Sequence, residues 1–126
     1  MIFEYESGNG TRKIESSTLK TIFQHLNEIN PRLKSYFILT KENGDYLQCA
    51  GSKLRLTIEY KQSETHSVLG IEKENKEPIS INYSGGAISL KRNEILSISD
   101  ALKTFETFFN TGNVPNEYIL RKVDEH

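Results

Sequence analysis

The 126-residue sequence predicts one α+β domain, in which an antiparallel meander sheet of about six strands carries two amphipathic helices. Two observations predict this class. Apolar residues recur at steps of three and four in two segments, as they do on one face of a helix. Between these segments apolar and polar residues alternate, which is typical of strands with one buried face. Because short turns join the alternating runs, we expect neighbouring strands to pair antiparallel.

The first helix is expected to begin at Ser16 or Ser17, since a hydroxyl there can accept a hydrogen bond from a free N–H of the first turn. Asn30-Pro31 should end it, because proline disfavours helical geometry in the residue before it. Its apolar stripe comprises Leu19, Ile22, Phe23, Leu26 and Ile29.

The strands follow. Residues 54–60 alternate without a break, and Asn43-Gly44 between the runs 36–41 and 45–50 is typical of a two-residue hairpin turn. Such a turn places Glu42 opposite Asp45. Further strands are expected at 66–71, 79–83 and 87–90, with an edge strand at 2–5 and a terminal strand at 118–123.

The second helix is expected to begin near Ser97, where Ser-x-x-Asp matches a capping box with Asp100. Thr111-Gly112-Asn113, followed by Pro115, should end it. Its stripe comprises Ala101, Leu102, Phe105, Phe108 and Phe109.

The single cysteine, Cys49, is predicted to be structural. Turn lengths place it opposite Ile38 and Leu54, on an apolar face where a free cysteine behaves as a small hydrophobe. His66 would then lie about 16 Å from the Cys49 row. A thiolate mechanism needs its base within about 3 Å. Gly51 is interpreted as the corner residue, chosen for its backbone freedom.

Composition excludes several classes of function. The chain has sixteen basic and seventeen acidic residues, and the basic ones form no stripe along the sequence. We therefore expect no direct nucleic-acid partner. One cysteine fits a reducing compartment, and we expect a cytoplasmic protein without signal peptide or membrane span. The scattered His25, His66 and His126 form no metal-ligand cluster, and no phosphate loop or nucleophile elbow occurs. The sequence therefore predicts a protein that is not an enzyme and needs no cofactor or metal.

One group of polar residues could form a binding site. The turn-derived register places Glu59 opposite His66, and it sets both on the face opposite Cys49. Aromatic anchors with a few fixed polar groups are typical of docking surfaces. Alternatively, a helix covers this face and the polar pairs are ordinary cross-strand contacts. The remaining members of the face are Tyr46, Gln48 and Arg55, together with the apolar Phe37, Leu39 and Val68.

A resemblance to known proteins rests on three of these segments: FIL at 37–39, GDYLQCAG at 44–51 and LTIEY at 56–60, followed by His66. Over roughly residues 17–118 the chain resembles small bacterial α+β proteins that are similar to immunity proteins of polymorphic-toxin and contact-dependent inhibition systems. The resemblance implies a cognate toxin C-terminal domain as partner, often a nuclease or a deaminase, whose active site is blocked. It implies no catalysis, cofactor or metal, and it transfers no binding residues.

A nuclease toxin would be basic around its substrate cleft, so an acidic patch could meet it. The candidates are Glu42 and Asp45 at a hairpin tip and Glu72, Glu74 and Glu77 on a charged loop. Both segments are expected to be exposed turns, where binding residues often lie. The alternative for each residue is an ordinary solvated charge.

Two other functions stay open. The chain could be a small-molecule-binding or catalytic domain with a cleft at Glu59 and His66, which a convergent pocket there would support. It could also be a homodimeric module that pairs edge strands such as residues 2–5. Monomer and homodimer are both compatible with the sequence, and so are helices on one or on both sheet faces.

Overall fold

The computed structural model describes residues 1–8 and 10–123, so His126 lies outside the described residues. Seven strands form the main sheet in the order β2-β1-β3-β4-β5-β6-β9, and β7 pairs with β8 in a separate hairpin. All pairings are antiparallel, which confirms the α+β class. The described elements are β1 (Ile2–Ser7), β2 (Gly10–Ile14), α1 (Leu19–Leu26), β3 (Tyr36–Thr40), β4 (Tyr46–Gly51), β5 (Leu56–Gln62), β6 (Thr65–Gly70), β7 (Pro78–Tyr83), β8 (Gly86–Lys91), α2 (Ile98–Thr111) and β9 (Ile119–Lys122).

Both helices pack on the same face of the main sheet. Ile22 and Leu26 of α1 join Phe105 and Phe108 of α2 in one buried cluster. From the sheet the cluster takes Phe3, Phe37, Leu39, Leu47, Cys49, Leu56, Ile58, Tyr60 and Leu69. The second sheet face is covered in part by the β7–β8 hairpin, whose Ile81 and Leu90 pack on Val68 of β6.

The ends of α2 are as predicted. The Ser97 N–H donates to the Asp100 carboxylate over 3.0 Å, and the hydroxyl of Ser97 completes the capping box. Gly112, with φ of +78°, ends the helix in the left-handed conformation that glycine adopts without strain.

The ends of α1 differ from the prediction. Thr18 is the N-cap in place of Ser16 or Ser17, and its hydroxyl accepts from the Thr21 N–H at 3.2 Å. The helix ends at Leu26, well before Pro31. The Asn27 side chain caps it by donating a hydrogen bond to the Phe23 carbonyl in the last turn.

The predicted register of the β3–β4 hairpin was wrong by one residue. Lys41 pairs with Asp45 through its N–H, so the loop has three residues rather than two, and Gly44 takes a φ of +94° within it. Cys49 therefore faces Phe37 instead of Ile38. Because a one-residue shift moves a whole strand to the other face, Phe37 and Leu39 lie under the helices beside Cys49.

Three other placements also need correction. Leu54 lies on an exposed turn, and Cys49 faces Ile58 across the β4–β5 pair. His66 faces Lys61 instead of Glu59. The first strand is not an edge, since β1 lies between β2 and β3. The edges of the main sheet are β2, which the sequence analysis missed, and β9.

Candidate functional site

The second face of the main sheet extends beyond the β7–β8 hairpin, towards the turns that follow β3 and β5. One cross-strand row there runs from Tyr46 to Lys61 and His66, and the next runs from Gln48 to Glu59, Val68 and Arg121. Alternation along each strand points these side chains away from the helices. We call Tyr46, Gln48, Glu59, Lys61, His66 and Arg121 the polar sheet face; each is partly buried.

Tyr46, Lys61 and His66 are held against one another. The Tyr46 hydroxyl lies 3.3 Å from His66 Nδ1, and the two rings meet edge to face with centroids 5.7 Å apart. The ammonium of Lys61 lies 5.9 Å from the centre of the Tyr46 ring, within cation–π range. The aromatic ring is therefore fixed by its neighbours before any partner arrives.

Glu59 occupies an electrostatically unfavourable position on this face. Burial raises the pKa of its carboxyl, and the nearby charges of His66 and Arg121 only partly oppose the rise. No hydrogen bond from a described residue contributes to its pKa. A charged carboxylate that lacks such partners stabilises the fold less than a neutral side chain would. Groups with a pKa shifted in this way are common at functional sites, which makes Glu59 a candidate binding residue.

Arg121 connects the polar sheet face to a buried ion pair. Its Nε and one terminal nitrogen donate to the two carboxylate oxygens of Glu94 over 2.6 and 3.0 Å. Glu94 is 2% exposed and also accepts from the Lys91 N–H at 2.9 Å. This bidentate geometry fixes β9 to the 3₁₀ turn Arg92–Glu94 and sets the position of the guanidinium.

Four of the polar residues predicted for this face meet there, Tyr46, Gln48, Glu59 and His66, and the predicted apolar Val68 lies among them. Arg55 does not, because β5 begins at Leu56 and Arg55 lies on the exposed β4–β5 turn. Lys61 and Arg121 were missed. Lys61 continues the alternation past Tyr60, so extending that pattern would have found it; Arg121 depends on the β6–β9 pairing, which no local signal reports.

The acidic residues do not form one patch. Asp45 is 7% exposed, and its carboxylate accepts from the Ser63 N–H at 2.8 Å, so it joins two turns instead of standing on an exposed tip. Glu42 is exposed beside it. Glu72, Glu74 and Glu77 are exposed on the loop after β6, at the opposite end of the sheet from Glu42.

Cys49 is a core residue, as predicted. Its side chain is 0% exposed within the apolar cluster, and burial raises the pKa of the thiol far above its ordinary range. The thiolate required of a nucleophile is therefore strongly disfavoured. Across residues 1–8 and 10–123, no three His, Cys, Asp or Glu side chains are grouped as a metal site.

No protein-family model matches the chain, and no curated protein matches its sequence. The resemblance to immunity proteins therefore rests on the quoted sequence segments alone. In the described part of the chain, neither helix has the length and apolar character needed to cross a membrane.

Proposed function

We propose that this chain is a binding protein of the immunity type, which neutralises a cognate bacterial toxin domain by covering its active site with the polar sheet face. Neutralising a few toxin molecules requires nanomolar affinity, about −12 kcal/mol. An interface of about 1,600 Å² can supply this when its polar groups are complementary and preorganised.

The observation that carries the proposal is the position of Glu59. Burial raises the pKa of this carboxyl, so its charged form costs the fold free energy, and such groups are enriched at functional sites. Tyr46 beside it is already immobilised by His66 and Lys61, so little side-chain entropy would be lost on binding. A partner cation placed over Glu59 would add to the partial compensation that His66 and Arg121 provide.

The ligand-binding alternative would need a cleft at Glu59 and His66, but four surface cavities formed by the described residues lie away from both. These cavities have volumes of 290 to 450 Å³, and neither Glu59 nor His66 lines them. A sheet face with part-exposed aromatic and charged groups suits a flat protein partner better than a small molecule.

The test examines the gene immediately upstream, which should encode a large secreted protein, and co-expresses its C-terminal domain with this chain, scored by growth rescue and co-purification. We expect rescue and a stable complex with the unmodified chain. The variants Glu59→Gln and Tyr46→Ala should weaken the complex, while Glu106→Gln, which removes an exposed carboxylate from α2, should not.

Two results would refute the proposal. One is toxicity that the unmodified chain does not reduce. The other is rescue that survives both polar-face variants but is lost on charge reversal of Glu42 or of Glu72, Glu74 and Glu77, which would assign the interface to the acidic turns.

A further inference from the structure

Two neighbouring turns present the most exposed large apolar side chains of the described residues. Leu54, on the β4–β5 turn, is 80% exposed, and Leu33, on the turn before β3, is 63% exposed. Basic residues flank both leucines, in the sequences Arg-Leu-Lys at 32–34 and Lys-Leu-Arg at 53–55. Isolated exposed leucines are common, but two in matching surroundings require an explanation.

The two turns lie at the same end of the sheet. Ser35 directly follows the first turn, and Gly51 directly precedes the second. The Gly51 N–H donates to the Ser35 carbonyl at 2.9 Å, so the two turns are joined by a backbone hydrogen bond. Leu33 is two residues from Ser35 and Leu54 three from Gly51, which limits their separation to roughly 22 Å at about 3.3 Å per residue and one strand spacing. A single interface patch of about 800 Å² spans that distance.

The β4–β5 turn is rigid. Gly51 has a φ of +133°, and a Cβ there would lie 2.3 Å from the Arg55 carbonyl oxygen. The Ser52 N–H donates to that oxygen at 3.0 Å, and the Ile98 N–H donates to the Lys53 carbonyl at 2.8 Å. Leu54 is therefore exposed by a fixed backbone, which gives it little freedom to turn inward.

The turn that carries Leu33 is fixed as firmly. The Asn30 side chain accepts from the N–H groups of Arg32 and Leu33 at 2.9 and 3.2 Å, and Asn30 and Lys34 exchange two backbone hydrogen bonds. The ammonium of Lys34 pairs with Glu28 and lies 4.7 Å from the Tyr5 ring centre. Lys34 is thus occupied within the fold.

The charges of Arg32, Lys53 and Arg55 show what the surface would fit. All three residues are exposed, and within the described part of the chain none forms an ion pair. Three positive charges around two apolar side chains are complementary to an acidic surface that also presents apolar side chains.

We infer that Leu33 and Leu54, with Arg32, Lys53 and Arg55, form a second docking surface, which we call the basic leucine turns. Its occupant is an acidic region of a protein partner whose apolar side chains pack against the two leucines. The inference rests on the proposed function in taking the partner to be a protein, and it adds the chemistry by which that partner is held at the end of the sheet away from Tyr46.

The first test measures affinity for the toxin domain by calorimetry. Leu33→Ser/Leu54→Ser and Arg32→Glu/Lys53→Glu/Arg55→Glu should each weaken binding about ten-fold or more, and the second should also lessen its dependence on salt. The matched control is Leu120→Ser, because Leu120 is 44% exposed but lies on β9. Unchanged urea midpoints would show that the variants fold. Equal affinities for all proteins would overturn the inference.

The second test does not need the toxin. A displayed library of random short peptides is selected on the unmodified chain and counter-selected on Leu33→Ser/Leu54→Ser. We expect enriched peptides with acidic residues around one bulky apolar residue, which no longer bind the charge-reversal variant. Failure to enrich them, or equal binding to the variants, would refute the docking surface.

The outcomes separate the two proposals. If the unmodified chain does not bind the toxin domain, the proposed function fails and the peptide selection alone decides the docking surface. Sedimentation with phosphatidylserine vesicles tests whether the acidic groups belong to a membrane surface instead of a protein. Vesicle binding that depends on both leucines would assign the surface to a membrane and overturn the inference.

Discussion

The ion pair between Arg121 and Glu94 allows a quantitative prediction for Arg121→Met. The substitution removes both charge-assisted hydrogen bonds, at 2.6 and 3.0 Å, from a carboxylate that is 2% exposed. Removal of one partner from a buried pair costs about 3–5 kcal/mol. The Arg121 side chain is 35% exposed, so water screens part of the interaction. We therefore expect a loss of about 2–3 kcal/mol in the free energy of unfolding.

The assay is urea unfolding followed by far-UV circular dichroism, since the chain has no tryptophan. With a slope of about 2 kcal/mol per molar urea, the midpoint should fall by about 1–1.5 M. Adding Glu94→Gln to Arg121→Met should cause little further loss in the free energy of unfolding. The Glu94 charge, which lost its partner in Arg121→Met, is absent from the double variant. The coupling energy from the four proteins should reach about 2 kcal/mol.

The matched control is Lys103→Met, which breaks a salt bridge to Glu117 that is 2.9 Å long but solvated, with side chains 48% and 59% exposed. This variant should change stability by less than about 1 kcal/mol. A loss below about 1 kcal/mol for Arg121→Met, or additivity of Arg121→Met and Glu94→Gln within about 0.5 kcal/mol, would refute the reasoning.

Three further predictions concern single side chains. Cys49→Ser should lower the free energy of unfolding by about 1–3 kcal/mol, because it buries a hydroxyl among apolar groups. In the unmodified chain, timed labelling with a thiol reagent should modify Cys49 only as fast as the chain unfolds. Burial and the charge of Lys34 lower the pKa of His25 below 6.5, so the folded state binds this proton less readily than the unfolded state does. Stability should therefore fall as the pH drops from about 7 through 6.5, and urea midpoints of His25→Gln should lack that part of the slope. The pKa of Glu59 is raised, so Glu59→Gln should hold or increase the urea midpoint at pH 7 while it weakens toxin binding; a large loss of stability would contradict its assignment as a functional charge.

Local patterns in the sequence predicted the elements but not how they meet. The stripe of α2, its capping box and the alternation in β5 depend on neighbouring residues, so they were visible in advance. The register of β3 and β4 was missed because Gly44 permits a three-residue loop where Asn-Gly suggests two. The edge strand β2, GTRKI, is exposed almost throughout and has no apolar face to reveal it.

The candidate site was predicted to a similar extent. The predicted pairings of β4 with β5 and of β5 with β6 were wrong by even numbers of residues. An even shift leaves every side chain on the same sheet face, so Tyr46, Gln48, Glu59 and His66 were still grouped correctly. Arg121 and its pairing with Glu94 depend on contacts between residues 27 positions apart, which periodicity does not encode. The exposure of Leu54 was hidden because its apolar side chain continued the alternation of β5 beyond the end of the strand.

The two edges of the main sheet bear on how this protein avoids aggregation. An unpaired strand edge is a template onto which another chain can add. Here each edge carries exposed cations, Arg12 and Lys13 on β2 and Lys122 on β9, while the charge of Arg121 is paired with Glu94. If two copies approached edge to edge, like charges would be brought together in every combination of β2 and β9. Charge therefore protects both edges of the sheet against fibrous growth.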